Sequence, residues 1–190
     1  MKAQVRVLGI DDSPFAFGDD RVMVVGALIR MPNYVEAVMR TSCAVDGDDA
    51  TEALVNMISS SRYREQMKAV LIDGIALGGF NVVDIELVHQ LTGVPCITVT
   101  RDRPEMDSIE AALRKHFPDW QRRLGVIRRA ELFPMDTDHK PLYIAAAGIG
   151  ADDAVRIVRA ATVRGAMPEP IRIAHLIATA MVEGESRGRA

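Results

Sequence analysis

The chain has 190 residues, 48% hydrophobic and 26% charged, with a formal net charge of −3 and two cysteines. That balance excludes a disordered chain, and the length suits one domain able to fold without disulfide or metal. Two cysteines exclude a secreted disulfide scaffold and a four-cysteine zinc site, and the slight acidity excludes a globally basic binder while leaving room for a local basic strip.

The opening MKAQVRVLGIDD has no signal-peptide core, and no apolar run nears the roughly 20 residues that span a bilayer. A single cytoplasmic domain over residues 1–190, with no membrane contact, is therefore expected. Residues 4–10 alternate and end in Asp11-Asp12-Ser13-Pro14, a strand running into a turn. Residues 22–30 form a continuous apolar run, as in a strand buried on both faces, and residues 35–45 make a third strand closed by Asp46-Gly47-Asp48-Asp49. The connections between these three are too short for crossover helices, which predicts an antiparallel meander. After Asp49 the period changes. Residues 50–66 read as a helix with Asp49 or Thr51 as N-cap, 68–73 as a buried strand, Gly74–Gly79 as a small-residue loop, and 80–92 as a helix ending at Gly93. A strand at 94–100, helices at 107–117 and 119–130, a strand at 141–147 and helices at 151–164 and 170–183 complete the chain. The order β-β-β-α-β-α-β-α predicts an α/β, ribonuclease H-like mixed sheet of five or more strands flanked by helices, with strand one central.

That topology carries an acidic constellation. Asp11 follows strand one and Asp73 ends strand four; if the two strands are parallel neighbours, their carboxylates converge. Strand three runs parallel to strand one, so Asp46, Asp48 or Asp49 reaches the same edge. Converging carboxylates repel one another and raise pKa values unless a cation compensates, and oxygen-only ligands suit Mg²⁺ or Mn²⁺. Such ions activate water and stabilise the leaving oxygen in phosphodiester hydrolysis. Taken singly, each aspartate is equally a common turn former.

The strings Gly9-Ile10-Asp11-Asp12-Ser13-Pro14-Phe15, Val45-Asp46-Gly47-Asp48-Asp49-Ala50-Thr51, Leu71-Ile72-Asp73-Gly74-Ile75-Ala76-Leu77-Gly78-Gly79-Phe80-Asn81-Val82-Val83-Asp84 and Pro168-Glu169-Pro170-Ile171-Arg172-Ile173-Ala174-His175-Leu176-Ile177-Ala178 resemble the chiefly archaeal DUF99 family, also called UPF0215 or endonuclease dU. That family is similar in turn to endonuclease V, a ribonuclease H-like nuclease. The resemblance implies a Mg²⁺- or Mn²⁺-dependent endonuclease acting on DNA, with RNA left open, at a deaminated base such as deoxyuridine, in DNA repair. It implies Asp11 and Asp73 as metal ligands and His175 as a catalytic residue that orients water or phosphate. One of Asp46 and Asp49 completes the site, in competition with Glu52; Asp12 tunes it, and Arg101 or Arg103 stands where endonuclease V offers a lysine. The Pro-Tyr-Ile-Pro wedge of endonuclease V is absent, and its following glutamate has no clean counterpart. The alternative reading is a non-catalytic nucleic-acid-binding or assembly module on the same fold.

The remaining candidates each have a plain structural reading beside the functional one. Gly78 and Gly79 let substrate backbone approach the metal edge, or simply make a turn. Asn81 contacts substrate or, with Asp84, caps its loop. Arg172 contacts a phosphate or pairs with Glu169. Residues 114–129 carry six Lys/Arg, with Phe117 and Trp120 among them, and offer either a nucleic-acid strip or a solvated helix face with its rings turned inward. Arg187 and Arg189 form a short basic tail.

Overall fold

The computed structural model describes residues 5–16 and 18–186, so Arg187 and Arg189 lie outside the described residues. Strands β1 (Arg6–Asp12), β2 (Arg21–Arg30) and β3 (Tyr34–Ala44) form the antiparallel meander. Helix α1 (Ala50–Ser59) leads to β4 (Met67–Asp73), which pairs parallel to β1. A two-stranded hairpin, β5 (Ala76–Leu77) and β6 (Asn81–Val82), precedes helix α2 (Ile85–Thr92) and strand β7 (Cys96–Thr100), parallel to β4. Helices α3 (Met106–His116) and α4 (Trp120–Arg129), strands β8 (Phe133–Met135) and β9 (Leu142–Ala147), and helices α5 (Ala151–Ala161) and α6 (Glu169–Glu183) complete the fold. Among the described residues the main sheet has seven strands in the order β3-β2-β1-β4-β7-β9-β8. Strand β1 thus sits between the meander and the parallel strands, as the chain order predicts.

Side chains alternate across this sheet because successive strand residues face opposite ways. Leu8 and Ile10 of β1 pack with Ile72, Leu54, Ile58 and Val88 under α1 and α2. Val7 joins Leu71, Ile97, Val158 and Ile171 under α5 and α6. Gly9 faces α6 as well, and a Cβ there would lie 2.0 Å from the Pro170 carbonyl carbon. Glycine in the strand lets the helix backbone touch the sheet. Cys43 and Cys96 are buried and free, and burial pushes both thiols up to about 12.

The structure departs from the sequence reading at several points, among them the helix expected over 151–164, which ends at Ala161. The helix expected over 50–66 stops at Ser59, where Ser60 Oγ donates to Met57 O and Ser61 Oγ accepts the Tyr63 N–H, so serine hydroxyls compete with helical bonding. The helix expected from residue 80 starts at Ile85, because Asp84 caps it by accepting the Leu87 N–H, and residues 81–82 pair with β5 instead. Strand β8 was not anticipated; Pro134 within it is tolerated at the sheet edge.

Candidate active site

Ile10 and Ile72 are the last paired residues of parallel β1 and β4, and Asp11 and Asp73 follow them directly. Alternation directs both carboxylates to the α6 side. Asp11 is only 5% exposed, and burial, then the charges of Asp73 and Asp12, push its carboxyl up to about 8. Burial also raises the Asp73 carboxyl, against the pull of Arg101, whose Nη2 lies 4.0 Å from Asp73 Oδ2, and of His175. Two half-compensated carboxylates side by side form a place where added positive charge is favourable.

The third member arrives from α6. Its first turn contains Pro170, which fixes the bend into the helix. The close approach at Gly9 sets the depth at which the helix sits on β1. His175, one helical turn beyond Ile171, then places Nδ1 2.8 Å from Asp11 Oδ2. With Nδ1–H donating to an ionised Asp11, the opposite ring nitrogen is left as an acceptor. Gly9 was not singled out from the sequence, although a lone glycine inside an apolar strand was the available signal.

Asp12 faces the other side of the sheet. Burial raises its carboxyl, and Oδ2 accepts the Gly78 N–H at 2.7 Å. This bond fastens the β5–β6 hairpin to the strand that carries Asp11.

Several expected site residues serve that hairpin and do not join the acidic pair. Asp46 takes φ 55°; its Oδ1 accepts the Phe80 N–H at 2.8 Å and its N–H donates to Gly78 O at 2.7 Å. Asp49 Oδ1 accepts from Ala44 N–H at 2.9 Å and from Asn81 Nδ2 at 2.7 Å, while Oδ2 lies 3.3 Å from Arg21. Burial opposes ionisation there, but these donors hold the Asp49 carboxyl below its ordinary value. Neither aspartate therefore supplies the expected third ligand, and Glu52 stands exposed on the first turn of α1. Among the described residues, no three His, Cys, Asp or Glu side chains make a ready ligand group.

Gly78, Gly79 and Asn81 take the structural member of their two readings. A Cβ on Gly78 would meet Val22 Cγ1 at 2.7 Å and one on Gly79 would meet Asp46 Oδ1 at 2.3 Å, so both glycines answer to internal packing and to positive φ. Asn81 is fully buried; it donates to Ala44 O and Asp49, and its Oδ1 accepts the Ala50 N–H, capping α1 from 31 residues away. Arg172 pairs with Glu169, Nε to Oε2 at 2.8 Å, which is the structural member of its two readings. Arg103 is exposed and lines a separate groove with Met106, Ile127 and Tyr143, whereas Arg101 reaches Asp73.

The basic segment 114–129 is mostly neutralised. Arg114 and Arg128 pair with Glu110, Arg122 and Arg123 with Asp119, and Arg129 with Asp84. Phe117 and Trp120 pack into a small core with Leu113, Leu124 and Ile127. Arg123 is 6% exposed, and its Nη1 donates to Gly47 O at 2.7 Å and Phe80 O at 2.6 Å. It latches α4 to the turn and hairpin that Asp12 holds from below, a role the sequence did not disclose.

The donor chemistry of Asp11 and Asp73 fits a hard divalent cation. Mg²⁺ is commonly held by one or two carboxylates, with water and substrate phosphate oxygens filling its other positions. The neighbouring buried negative charges are what such an ion would offset.

Comparison with known proteins supplies an independent line. Residues 3–182 match the family described as Endonuclease dU. A UPF0215 protein of Methanothermobacter thermautotrophicus is 44% identical over 191 residues, covering 100% of this chain and 94% of that protein. A crystal structure of a protein of unknown function from Archaeoglobus fulgidus superposes with a TM-score of 0.85 at 37% identity, covering 95% of this chain and 99% of that one. Endonuclease V of Ciona intestinalis, solved with a 24-mer DNA containing an inosine followed by a ribo-adenosine, gives a TM-score of 0.57 at 14% identity, covering 90% and 82%. The last likeness establishes a shared fold, the ribonuclease H-like arrangement of endonuclease V. No helix among the described residues is long and apolar enough to cross a membrane.

Proposed function

This chain belongs to the endonuclease dU family, and on that premise we propose that it is a Mg²⁺- or Mn²⁺-dependent endonuclease cleaving DNA at a deaminated base such as deoxyuridine, in DNA repair. One observation carries the reading: buried Asp11 and half-buried Asp73 stand at the carboxyl ends of neighbouring parallel strands, with His175 Nδ1 2.8 Å from Asp11.

In this reading Asp11 and Asp73 hold the divalent ion, whose chemistry when bound is to activate water and neutralise charge on the leaving oxygen. Asp11 fixes the His175 ring through Nδ1. The opposite nitrogen of His175 orients water and takes a proton from it; once protonated, it donates to a phosphate oxygen. Arg101, beside Asp73, offers its guanidinium to a non-bridging phosphate oxygen. Asp12, through Gly78, keeps the hairpin in place at the edge of the site.

The test incubates the protein with Mg²⁺ or Mn²⁺ and end-labelled DNA or RNA carrying deoxyuridine, deoxyinosine or no lesion. Metal-dependent cleavage of lesion DNA is expected, with loss of at least about a thousandfold in Asp11→Ala and Asp73→Ala, the scale of several kcal/mol of lost charge stabilisation. Full activity in either variant would remove that residue from the mechanism. A second reading, a non-catalytic nucleic-acid-binding module, is favoured by one fact: the carboxylates of Asp46 and Asp49 are already engaged by the hairpin. Thermal-shift titration separates the two, because only a metal site yields Mn²⁺-dependent stabilisation that disappears in Asp11→Ala.

A further inference from the structure

Strand β7 lies between β4 and β9, with Asp73 paired to Val99 and Thr100 to Tyr143. The chain leaving β7 and the chain entering antiparallel β9 therefore meet at the sheet edge that carries Asp11 and Asp73. There Arg101, His139, Lys140, Pro141, Leu142 and Ala166 line a cavity of about 280 Å³, with Asp102 the acidic residue in the lining. Leu142, 1% exposed, forms an apolar floor, while His139 and Lys140 are exposed. The loop has internal ties: Thr137 Oγ1 donates to Lys140 O at 2.8 Å and accepts the His139 N–H at 3.0 Å. Those ties engage only the backbone atoms of His139 and Lys140, leaving both side chains out. Among the described residues, neither the Lys140 ammonium nor the His139 ring has a hydrogen-bond or ion-pair partner, in contrast to the arginines of α4.

We propose that this cleft binds a backbone phosphate of the nucleic-acid strand, a few nucleotides from the bond cut at Asp11 and Asp73. The inference rests on the nuclease reading of that pair. A polyanion approaching two carboxylates is repelled unless cationic charge stands close by, and β4 and β9 are two strand spacings, roughly 10 Å, apart. Arg101 borders both places, with one face of its environment at Asp73 and the other in the cleft. Lysine acts as a compact point charge that suits any phosphate, so the contact carries position and not base identity. His139 adds charge when protonated, and the apolar floor accommodates sugar or base edges beside the phosphate.

The test is fluorescence anisotropy of labelled single-stranded and duplex deoxyuridine oligonucleotides without divalent metal. It compares wild type, the double variant His139→Gln/Lys140→Gln, and Arg128→Gln as a control from the paired region. The double variant is expected to bind about tenfold more weakly, with the slope of log affinity against log salt reduced by about 1, while its melting temperature and the control's binding stay unchanged. Wild-type affinity and slope in the double variant, or no salt-dependent binding by wild type, overturns the proposal. Parallel cleavage assays with Mn²⁺ keep the two ideas apart. Weakened binding in the variant with no cleavage by wild type sinks the nuclease reading and leaves the phosphate site. Cleavage by wild type with unaltered binding in the variant sinks the phosphate site alone.

Discussion

Charge is concentrated in two regions, the carboxyl ends of β1 and β4 and the helix α4, and the two treat it in opposite ways. Along α4 the arginines are matched: Arg122 and Arg123 by Asp119, Arg128 by Glu110, Arg129 by Asp84. At the sheet edge Asp11, Asp12 and Asp73 are held near one another, with Arg101 at 4.0 Å from Asp73 and His175 as the nearby basic groups. The consequence is visible in their acidity: Asp119 lies below its ordinary value because of its hydrogen bond from Arg123, while burial and mutual repulsion push Asp11 up to about 8. Charge density along a sequence thus says little about function. Charge that the fold leaves unbalanced in a buried place says much more, since such an arrangement persists at a cost to stability.

The largest effect that would break this contrast concerns Asp11. In the folded protein its carboxyl binds a proton more tightly than in the unfolded chain, where 3.8 is ordinary. The folded state therefore carries the extra proton between those values, and metal-free stability should fall as pH rises from about 4 to about 8, then level off. Asp11→Asn removes the liability and should raise the metal-free melting temperature at pH 8, where the wild-type carboxylate is half ionised, more than at pH 5. Saturating Mn²⁺ should flatten the pH slope of the wild type. Thermal melts across pH 4–9, with and without metal, measure both; a wild-type slope of zero would mean that Asp11 is not electrostatically strained.

How far the sequence reaches is set by the range of the interactions. Asp11, Asp73 and His175 were legible because strand order alone sends the first two to one edge, and the Pro168-Glu169-Pro170 bend marks the helix bearing the third. The fate of Asp49 was not legible, since its partners Asn81 and Arg21 lie 32 and 28 residues away and no local pattern links them. Nor could the sequence show that Asn81 caps α1 and not its own loop, or that Arg123, one arginine among many in 114–129, is the buried one. His139 and Lys140 went unremarked because their neighbourhood with Arg101 is created by the antiparallel entry into β9.

A smaller effect sharpens the acidic side. Gly9→Ala places a methyl 2.0 Å from the Pro170 carbonyl carbon, and both partners are backbone, so α6 must shift. Overpacking of this kind costs about 3 kcal/mol. Because α6 carries His175, the variant should also lose cleavage by more than its loss of folded fraction explains. Activity normalised to folded protein at 20 °C below its melting point checks this; normal specific activity would detach His175 placement from the Gly9 contact.

The smallest effects test the basic side, where two arginines of the same helix should behave differently. Arg123→Ala strands the carbonyls of Gly47 and Phe80 and removes a guanidinium stacked 4.3 Å over the Phe117 ring, so a loss of about 2 kcal/mol is expected. Arg123→Lys keeps the charge but not the planar fork that reaches Asp119 and both carbonyls at once, and should recover less than half of that loss. Arg128→Ala, with an exposed side chain paired to Glu110, should change stability by no more than about 0.5 kcal/mol and leave oligonucleotide affinity intact. Denaturant melts of the three variants rank these outcomes. Equal losses at positions 123 and 128 would show that α4 is held by its net charge, whereas a loss confined to 123 locates the helix's attachment in one buried fork beside the hairpin that Asp12 anchors.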